Sequence, residues 1–173
     1  FLLKMQRGGL TKNNKANFTN LTTLGKKLTM TPSRIFDILS IQAESYPLEK
    51  CLSDKRNGCW ESISTQKFFE SVNHVSAALI EMGVKPQDKI ALISSTNRSE
   101  WLIIDMAILQ LGAITVPLYP NISSYDYEYI LNHSECLFCF VSDQEIYNKV
   151  FLVKSQVKNL KEIFAFDDIE GCK

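Results

Sequence analysis

The sequence predicts an α/β fold: a mostly parallel sheet with helices on both faces, preceded by an N-terminal helix and a β-hairpin. The first observation is that short apolar, β-branched runs alternate with stretches of helical length between residues 89 and 166. Strands that are separated by helices in this way pair in parallel through right-handed crossovers. The second observation is Asn57-Gly58 between two short runs, which is typical of the type I′ turn of a hairpin.

Length and charge limit the possibilities. The 173 residues are 45% hydrophobic and 22% charged, which is ordinary for one globular domain with one sizeable core. The formal net charge is zero, yet residues 1–30 contain six basic residues and no acidic one. We therefore expect a basic leader arm over residues 1–30 and a folded part over residues 31–173. Because six charges over this length are sparse, we expect a solvated arm and no nucleic-acid binding.

The sequence gives no signal for export or for disulfide bonds. The run Phe1-Leu2-Leu3 is too short for the apolar segment of a secretory signal. The five cysteines are odd in number and irregularly spaced, so they do not suggest a disulfide framework. We expect a cytoplasmic protein with at most peripheral membrane contact.

Two helices are predicted before residue 89. Ser33 can begin the first, which carries Ile35, Leu39 and Tyr46 on one side and ends before Pro47. The second begins after the cap residue Ser64, and its apolar residues recur at intervals of four, three, four and three. These residues form a single buried stripe: Phe68, Val72, Val75, Leu79 and Met82. Gly83 and Val84 are predicted to end the helix in a Schellman motif.

The most apolar stretch of the chain is predicted to form the middle of the sheet layer. Asn97 is predicted as an N-cap, and Glu100 completes a capping box. The helix over 98–111 is apolar on nearly every face, so we expect it to be covered on more than one side. Gly112 ends this helix, and the run 113–118 is predicted as a strand that is buried on both faces.

A transmembrane span is the competing interpretation of this stretch, since about 18 apolar residues are close to the minimum for one. Asp105, Gly112 and Pro117 interrupt the stretch and argue against a span. The rest of the chain continues the alternation, with helix starts at Ser123, paired with Asp126, and at Asp143. The further elements are strands over 89–94, 137–142 and 162–166 and helices over 124–133 and 144–157.

Polar residues after the first parallel strand form a candidate ligand loop. Ser94-Ser95-Thr96-Asn97 lies at the carboxyl end of that strand, where doubly wound sheets bind ligands. Its backbone N–H groups could hold an anion at the helix start. The loop has no glycine, and the sequence contains neither G-x-G-x-x-G nor a Walker loop. We therefore interpret this loop as the cap of a helix.

The cysteines are interpreted as structural. Cys136 and Cys139 have C-x-x-C spacing, but residues three apart in a strand point to opposite faces. No second Cys or His pair accompanies them, so we expect core thiols instead of a metal site. Cys51 and Cys59 flank the hairpin, whose turn pairs Arg56 with Cys59 and leaves Cys51 out of register.

The remaining chemical groups are isolated from one another. His74 lies opposite or beside a buried stripe. His133 is at the C-terminal end of a predicted helix, where a histidine interacts favourably with the helix dipole. Asp167-Asp168 could hold a metal, although a polar exit from the last strand is the simpler interpretation. Four tyrosines could line a pocket, but half-buried packing over the sheet edge is favoured for Tyr119, Tyr125, Tyr127 and Tyr129.

Several motifs occur together at characteristic spacing. They are Gly83-Val84-x-x-x-Asp88-Lys89-Ile90-Ala91-Leu92-Ile93-Ser94, Asn97-Arg98-Ser99-Glu100-Trp101, Gly112-Ala113-Ile114-Thr115-Val116-Pro117-Leu118-Tyr119-Pro120 and Tyr129-Ile130-Leu131-Asn132-His133-Ser134-Glu135. With them, the chain from about Ser33 to Gly171 closely resembles the start of AMP-forming long-chain fatty-acid–CoA ligases, of the adenylate-forming superfamily. The N-R-x-E-W signature is typical of the long-chain branch, although Ser99 stands where proline is usual.

The resemblance implies a parent ligase that activates long-chain fatty acids with ATP and Mg²⁺ to acyl-adenylate and transfers the acyl group to coenzyme A. It also implies that this chain is the incomplete N-terminal portion of a larger AMP-binding domain. The family's phosphate-binding loop, Tyr-Gly-x-Thr-Glu-type segment, ribose-binding aspartate and catalytic lysine have no match in the sequence. We therefore expect no catalytic, cofactor-binding or metal residue here, no bound cofactor, and a scaffold without activity of its own.

A stand-alone binding module, flavodoxin-like or regulatory, is the alternative to a ligase fragment. For the ligase, the expected partners are the remainder of its own chain and, through the parent, the fatty acid. Self-association is also expected, because apolar surface normally covered by later parts of the domain would be exposed. The residues expected in or near that contact are Trp101, Ile104, Ile108 and the strand around Val116.

Overall fold

The structure is a computed structural model, and it describes residues 32–170. The predicted basic leader arm, residues 1–30, lies outside the described residues. The five helices and six strands of the described part, with one 3₁₀ turn at Lys154–Gln156, are α1 (Asp37–Ser45), β1 (Leu52–Arg56), β2 (Cys59–Ile63), α2 (Thr65–Glu81), β3 (Lys89–Ile93), α3 (Ser99–Gln110), β4 (Ile114–Leu118), α4 (Ser124–His133), β5 (Phe138–Val141), α5 (Gln144–Phe151) and β6 (Glu162–Ala165).

Four of the strands form one parallel sheet in the order β4-β3-β5-β6, and β1 and β2 form a separate antiparallel hairpin. The predicted fold class is confirmed. From β3 the chain moves outward to β4, and it then returns to the other side for β5 and β6. The strand order therefore reverses between β3 and β5, which is the place where open α/β sheets form a crevice.

The two faces of the sheet have separate cores. Ile90 and Leu92 of β3 face a core that is completed by α1, α2 and α3. The alternate residues Ala91 and Ile93 face a second core, which α4 and α5 cover. A strand that is buried on both faces has an unbroken apolar sequence, which explains the run Ile90-Ala91-Leu92-Ile93. Helices on both faces were predicted, and α3 packs against both the sheet and α2, as its apolar surface required.

Most helix ends follow from local sequence signals. The Ser64 hydroxyl accepts the Lys67 N–H, and Ser123 forms a capping box with Asp126, so these predicted starts are confirmed. Asp143 caps α5 by accepting the Ile146 N–H.

Two helices end in a Schellman motif, which was predicted at Gly83; for Gly112 only the helix end itself was predicted. Gly83 and Gly112 have φ of +82° and +70°, where L-residues are strained. The N–H of the following residue returns to the helix: Val84 donates to the Leu79 carbonyl (3.0 Å), and Ala113 donates to the Ile108 carbonyl (3.2 Å).

The hairpin turn is also as predicted. Asn57 and Gly58 have φ of 49° and 83°, as a type I′ turn requires, and Arg56 pairs with Cys59. Cys51 lies before β1, where its N–H donates to the Ile63 carbonyl (2.8 Å).

The predicted capping box at Asn97 and Glu100 is wrong. Helix α3 begins at Ser99 after Arg98, no side chain caps it, and Asn97 is exposed. The Glu100 carboxylate instead accepts hydrogen bonds from Arg56 and Arg98. Two guanidinium groups give the carboxylate an ion-pair attraction that a single backbone amide does not supply, so Glu100 binds the arginines.

The prediction that strand 113–118 is buried on both faces is also wrong. Strand β4 is an edge strand of the described sheet, with Ile114 40% exposed and the rest of the strand exposed or half-buried. Pro117 is compatible with this place because an edge strand does not need every N–H for pairing. Among the described residues, the Thr115 hydroxyl is a buried side-chain oxygen without a hydrogen-bond partner.

Two predicted helices are shorter than expected. Helix α1 begins at Asp37, whose carboxylate accepts the hydroxyl of Ser33, and only Leu39 among its predicted apolar residues is buried. Ile35 and Tyr46 are exposed. Helix α5 ends at Phe151, and the 3₁₀ turn replaces its predicted last part. None of the helices in residues 32–170 combines the length and apolar character that a membrane span requires.

Comparing the starts of α3 and α4 tests whether Asn97 is a cap. Ser123→Ala should lower the free energy of unfolding by about 1 kcal/mol, because it removes a side-chain cap. Asn97→Ala should change it by less than about 0.5 kcal/mol, as expected for an exposed residue without such a role. Urea denaturation of the two variants measures both values. Equal losses for the two variants would contradict the assignment of the caps.

Candidate functional site

Polar side chains from three loops meet at the carboxyl edge of the sheet. Ser95 and Arg98 follow β3, Ser142 and Asp143 follow β5, and Asp167 follows β6. The first of these loops contains the candidate ligand loop of the sequence analysis, Ser94 to Asn97. Since the strand order reverses between β3 and β5, this edge is the candidate site that the topology defines.

Hydrogen bonds between the first two loops connect β3 and β5 at the reversal. The Ser95 N–H donates to the Ser142 hydroxyl (3.0 Å), and both hydroxyls, of Ser95 and of Ser142, donate to one Asp143 oxygen at 2.7 Å. The other Asp143 oxygen caps α5. Burial acts to raise the pKa of Asp143, but the hydrogen bonds from Ser142 and Ser95 outweigh it and hold the pKa below its usual value.

These bonds limit what the loop can bind. The Ser94 hydroxyl donates to the Thr96 carbonyl (2.6 Å), so three of the polar groups that an anion would use are bonded within the protein. The interpretation of the loop as the cap of a helix is wrong, since no side chain caps α3; the loop instead connects β3 to the residues after β5.

Arg98 is the centre of a second group of contacts at the same edge. Its guanidinium binds Asp167 with two bonds, from Nη1 to Oδ2 (2.7 Å) and from Nη2 to Oδ1 (2.8 Å). The Nε and Nη2 groups also donate to Glu100 at 3.3 and 3.1 Å, and Nη1 donates to the Ser142 carbonyl at 3.3 Å. The side chain is 14% exposed and lies over the Phe166 ring. Arg98 therefore joins the ends of β3, β5 and β6.

Glu100 extends this group to the hairpin. Its Oε1 accepts a 2.5 Å bond from Arg56 Nη2, and Arg56 Nε donates to Asp54 at 2.9 Å. Asp54 in turn accepts a 2.6 Å bond from the Ser99 hydroxyl. We call Asp54, Arg56, Arg98, Glu100 and Asp167 the arginine network. It runs without interruption from the hairpin, past the start of α3, to the end of β6.

The ionisation of the network follows from its contacts. The hydrogen bonds to Asp167 raise the pKa of Arg98 above its usual value, against the opposing effect of burial. Burial acts to lower the pKa of Arg56, but its bonds with Glu100 and Asp54 outweigh this and raise it. The hydrogen bonds from Arg98 lower the pKa of Asp167. The arginines stay charged, and each carboxylate is held by at least one of them.

A cavity of about 230 Å³ lies beside the network, between the hairpin, α2 and α3. Its lining includes Asp54, Arg56 and Glu100, and Lys67 and Ser71 of α2. The three charged groups of the network are bonded to one another, so they are committed to joining the hairpin to α3.

The interpretation of the cysteines as core thiols is supported, but the argument from opposite faces is wrong. Cys136 precedes β5, and both Cys136 and Cys139 pack in the core under α4 and α5. Both thiols are free, and burial raises the pKa of each. Neither thiol has the low pKa of a reactive cysteine. Cys51 and Cys59 are also free.

The expectation that the tyrosines are half-buried is wrong for all four. Tyr127 is fully buried and donates its hydroxyl to the Tyr119 carbonyl (2.9 Å); burial raises its pKa to about 12. The side chains of Tyr119, Tyr125 and Tyr129 are exposed. Exposed His133 stacks on Tyr129 at 5.8 Å, and these two residues line a shallow groove on α4 with Tyr125, Glu128 and Asn132.

The remaining predicted candidates do not form a catalytic set. His74 is an exposed residue of α2. Asp167 is more than a polar exit, because it is the bidentate partner of Arg98. Within residues 32–170, no group of three or more His, Cys, Asp or Glu side chains could hold a metal ion.

Sequence reasoning missed the arginine network. It considered Glu100 only as a cap and did not consider Arg56, Arg98 or Asp54 as partners. A signal was present, because two charged residues separated by one position, Arg98 and Glu100, lie at the start of the most apolar predicted helix of the chain. Charged residues next to a buried helix need partners. The sequence gives no indication of which distant residues supply them.

Comparison with known proteins adds to this description. Residues 39–170 match the family described as AMP-binding enzyme. Fatty acyl-CoA synthetase B of Dictyostelium discoideum is 28% identical over 142 residues, covering 79% of this chain and 21% of that protein. The long-chain-fatty-acid–CoA ligase FadD15 of Mycobacterium bovis is 30% identical over 107 residues, covering 62% and 18%. The crystal structure of the anthranilate CoA ligase AuaEII in complex with anthranoyl-AMP has a TM-score of 0.66 at 22% identity, covering 80% and 25%.

The parallel sheet, its carboxyl edge and the match over most of the described residues agree with one another. The chain belongs to the family of AMP-binding enzymes. Its resemblance to long-chain fatty-acid–CoA ligases, found in the sequence, is confirmed by the curated relatives. The chain spans about a fifth of the length of these relatives. The likeness to the solved structure concerns the fold.

The Arg98–Asp167 pair should make stability depend on acid. Because the folded-state pKa of Asp167 is lowered, its contribution is present above the unfolded value of about 3.9 and is lost as pH falls through the folded value. Asp167→Asn should therefore reduce the loss of unfolding free energy between about pH 6 and pH 3 by about 0.5 kcal/mol, as expected for a half-exposed pair. Urea denaturation at several pH values measures this difference.

The matched control for that measurement is the same substitution in an Arg98→Lys background. There the bidentate contact is already lost, so Asp167→Asn should change the pH dependence much less. If Asp167→Asn has the same effect in both backgrounds, the pair is not the source of the pH dependence.

Proposed function

We propose that the whole protein is an AMP-forming long-chain fatty-acid–CoA ligase and that this chain is an N-terminal part of its AMP-binding domain. The ligase activates a fatty acid with ATP and Mg²⁺ to acyl-adenylate and transfers the acyl group to coenzyme A. The observation that carries the proposal is the family match over residues 39–170, together with relatives that are named fatty acyl-CoA synthetases and ligases.

Within that enzyme, the role proposed for this chain is a scaffold. Mg²⁺ prefers carboxylate oxygens, but Glu100 and Asp167 both bind guanidinium groups. The amide of Ser95 and the hydroxyl of Ser94, which could bind phosphate, are bonded to Ser142 and Thr96. The described residues therefore do not fit the metal or the nucleotide phosphates. We assign no chemical step of the ligase to them.

The alternative of a stand-alone flavodoxin-like or regulatory module has one specific observation in its favour. Counted from β3, the parallel strands lie in the order 2-1-3-4, which flavodoxin-like sheets share. Titration of residues 1–173 with FMN and with ATP separates the two possibilities. Micromolar binding of either nucleotide by this chain alone would favour the module.

The proposed partners are the remainder of the protein's own chain, the fatty acid through the parent enzyme, and a second copy of the chain. Ile104 and Ile108 were expected near the self-association contact, but they are buried and cannot take part. Half-buried Trp101 and the edge strand around Val116 keep that role in the proposal. We propose no nucleic-acid partner, and a cytoplasmic location with at most peripheral membrane contact.

The proposal separates the activity of this chain from that of the whole protein. Residues 1–173 should release no pyrophosphate from ATP with any fatty acid, because the polar groups described do not bind the reacting phosphates. The full-length protein should release pyrophosphate with a long-chain fatty acid and form acyl-CoA only when coenzyme A and Mg²⁺ are present. A coupled pyrophosphate assay with palmitate measures both. Omission of the fatty acid is the control, and fatty-acid-dependent release by residues 1–173 alone would contradict the scaffold role.

Self-association has its own measurement. Residues 1–173 should sediment as a dimer or larger species at micromolar concentration, because the apolar side chains of the edge strand β4, with Ile114 40% exposed and Val116 half-buried, can pack against a second copy. Val116→Lys should shift the chain towards the monomer, whereas Ile80→Lys, at an exposed residue of α2, should not. A cooperative monomer in the unsubstituted chain would exclude self-association.

A further inference from the structure

The chain after β6 crosses the carboxyl edge of the sheet at several fixed points. The Phe166 N–H donates to the Val141 carbonyl (2.9 Å), and Asp167 then binds Arg98. Further on, the Glu170 N–H donates to the Gln144 side-chain oxygen (2.8 Å), and the Gln144 amide donates back to the Glu170 carbonyl (3.2 Å). We call residues 166–170 the exit segment. Its path is determined by contacts with α5 and with the loop after β3.

The contact with Arg98 is more demanding than an ordinary surface ion pair. The Arg98 side chain is 14% exposed, and its two bonds to Asp167 are 2.7 and 2.8 Å long. A planar guanidinium that binds both oxygens of a carboxylate fixes the orientation as well as the distance of its partner.

The orientation of Arg98 is itself determined by other residues. The guanidinium is held by Glu100 of α3 and by the carbonyl of Ser142, at the end of β5. Glu100 is held in turn by Arg56 of the hairpin. Groups whose own partners fix them can place a ligand or a chain segment accurately. The direction of the exit segment is thus determined by the loop after β3, by β5 and by the hairpin together.

We propose that Arg98 is a positioning residue of the ligase: through Asp167 it sets the direction in which the chain beyond Glu170 leaves the carboxyl edge of the sheet. The inference rests on the proposed function, because the curated relatives have most of their length outside the part that this chain matches. An exit segment without a fixed direction lowers the fraction of molecules in which the rest of the domain is assembled on the sheet. A smaller active fraction reduces kcat and leaves KM unchanged.

The test uses the full-length protein with two substitutions. Arg98→Lys keeps the charge but loses the planar fork, and Asp167→Asn keeps the size but loses the charge. Amide hydrogen exchange at Phe166 and Glu170 should be about ten-fold faster in each variant, and no faster in the double variant than in either single one. At a temperature well below the melting transition, kcat for acyl-CoA formation should fall about ten-fold, with KM for ATP and for fatty acid within about two-fold of wild type.

The matched control is Lys154→Gln, which removes a 2.6 Å ion pair to Glu162 at the opposite end of the same strand. It should leave both the exchange of the exit segment and kcat unchanged. The proposal is overturned if the exchange rates at Phe166 and Glu170 in the Arg98 and Asp167 variants equal those of the wild type, or if the control variant accelerates exchange equally. It is also overturned if the kcat of the variants recovers on cooling. If the wild-type protein forms no acyl-CoA, the proposed function fails, and the exchange rates still decide whether Arg98 positions the exit segment.

Discussion

The guanidinium of Arg98 is the interaction on which the carboxyl edge depends. A guanidinium that is mostly removed from water has a large free-energy cost unless its N–H groups are bonded. Arg98 meets this requirement with five hydrogen bonds, to Glu100, to Asp167 and to the carbonyl of Ser142. Each of these acceptors belongs to a different element, so the bonding of one side chain holds together the start of α3 and the ends of β5 and β6.

The same requirement explains why the hairpin is attached to the sheet layer. Glu100 is 7% exposed, and its carboxylate is shared between Arg98 and Arg56. Arg56 lies next to the hairpin turn, so its bond to Glu100 fixes the hairpin against the beginning of α3. The hydrogen bond from the Ser99 hydroxyl to Asp54, a second residue of β1, also holds the hairpin against the start of α3. The network therefore adds orientation to the apolar contacts that Leu52 and Ile63 of the hairpin make with the core.

Much of the fold could be predicted because its signals are local. The endings at Gly83 and Gly112, the cap at Ser123 and the turn at Asn57 each depend on residues within a few positions. The alternation of strands and helices then determined the parallel sheet. The candidate site could not be predicted in the same way, because Glu100 binds a residue 44 positions away, and Arg98 binds one 69 positions away. A local capping pattern at Asn97 was outweighed by these distant charges.

The errors at β4 and at the tyrosines have a related cause. An apolar run indicates burial, but it does not indicate whether a strand has one neighbour or two. Ile114 to Leu118 has the composition of a central strand and lies at the edge of the described sheet. The tyrosines of α4 give a similar case. Tyr127 is on the face of the helix that packs on the sheet and is buried, whereas Tyr129 is exposed, and their residue type does not indicate which face each occupies.

Pro117 gives the edge of β4 a chemical asymmetry. The Ile114 N–H points to β3, where it donates to the Asp88 carbonyl (2.8 Å). Because backbone groups alternate along a strand, the N–H and C=O groups at positions 115 and 117 point away from β3. Because proline has no N–H, the outer side offers two carbonyl acceptors but a single amide donor, that of Thr115. A strand added here would have a carbonyl group opposite Pro117 without an N–H partner. Contact with another polypeptide at this edge therefore depends on the packing of side chains, and extension of the sheet by repeated backbone pairing is disfavoured.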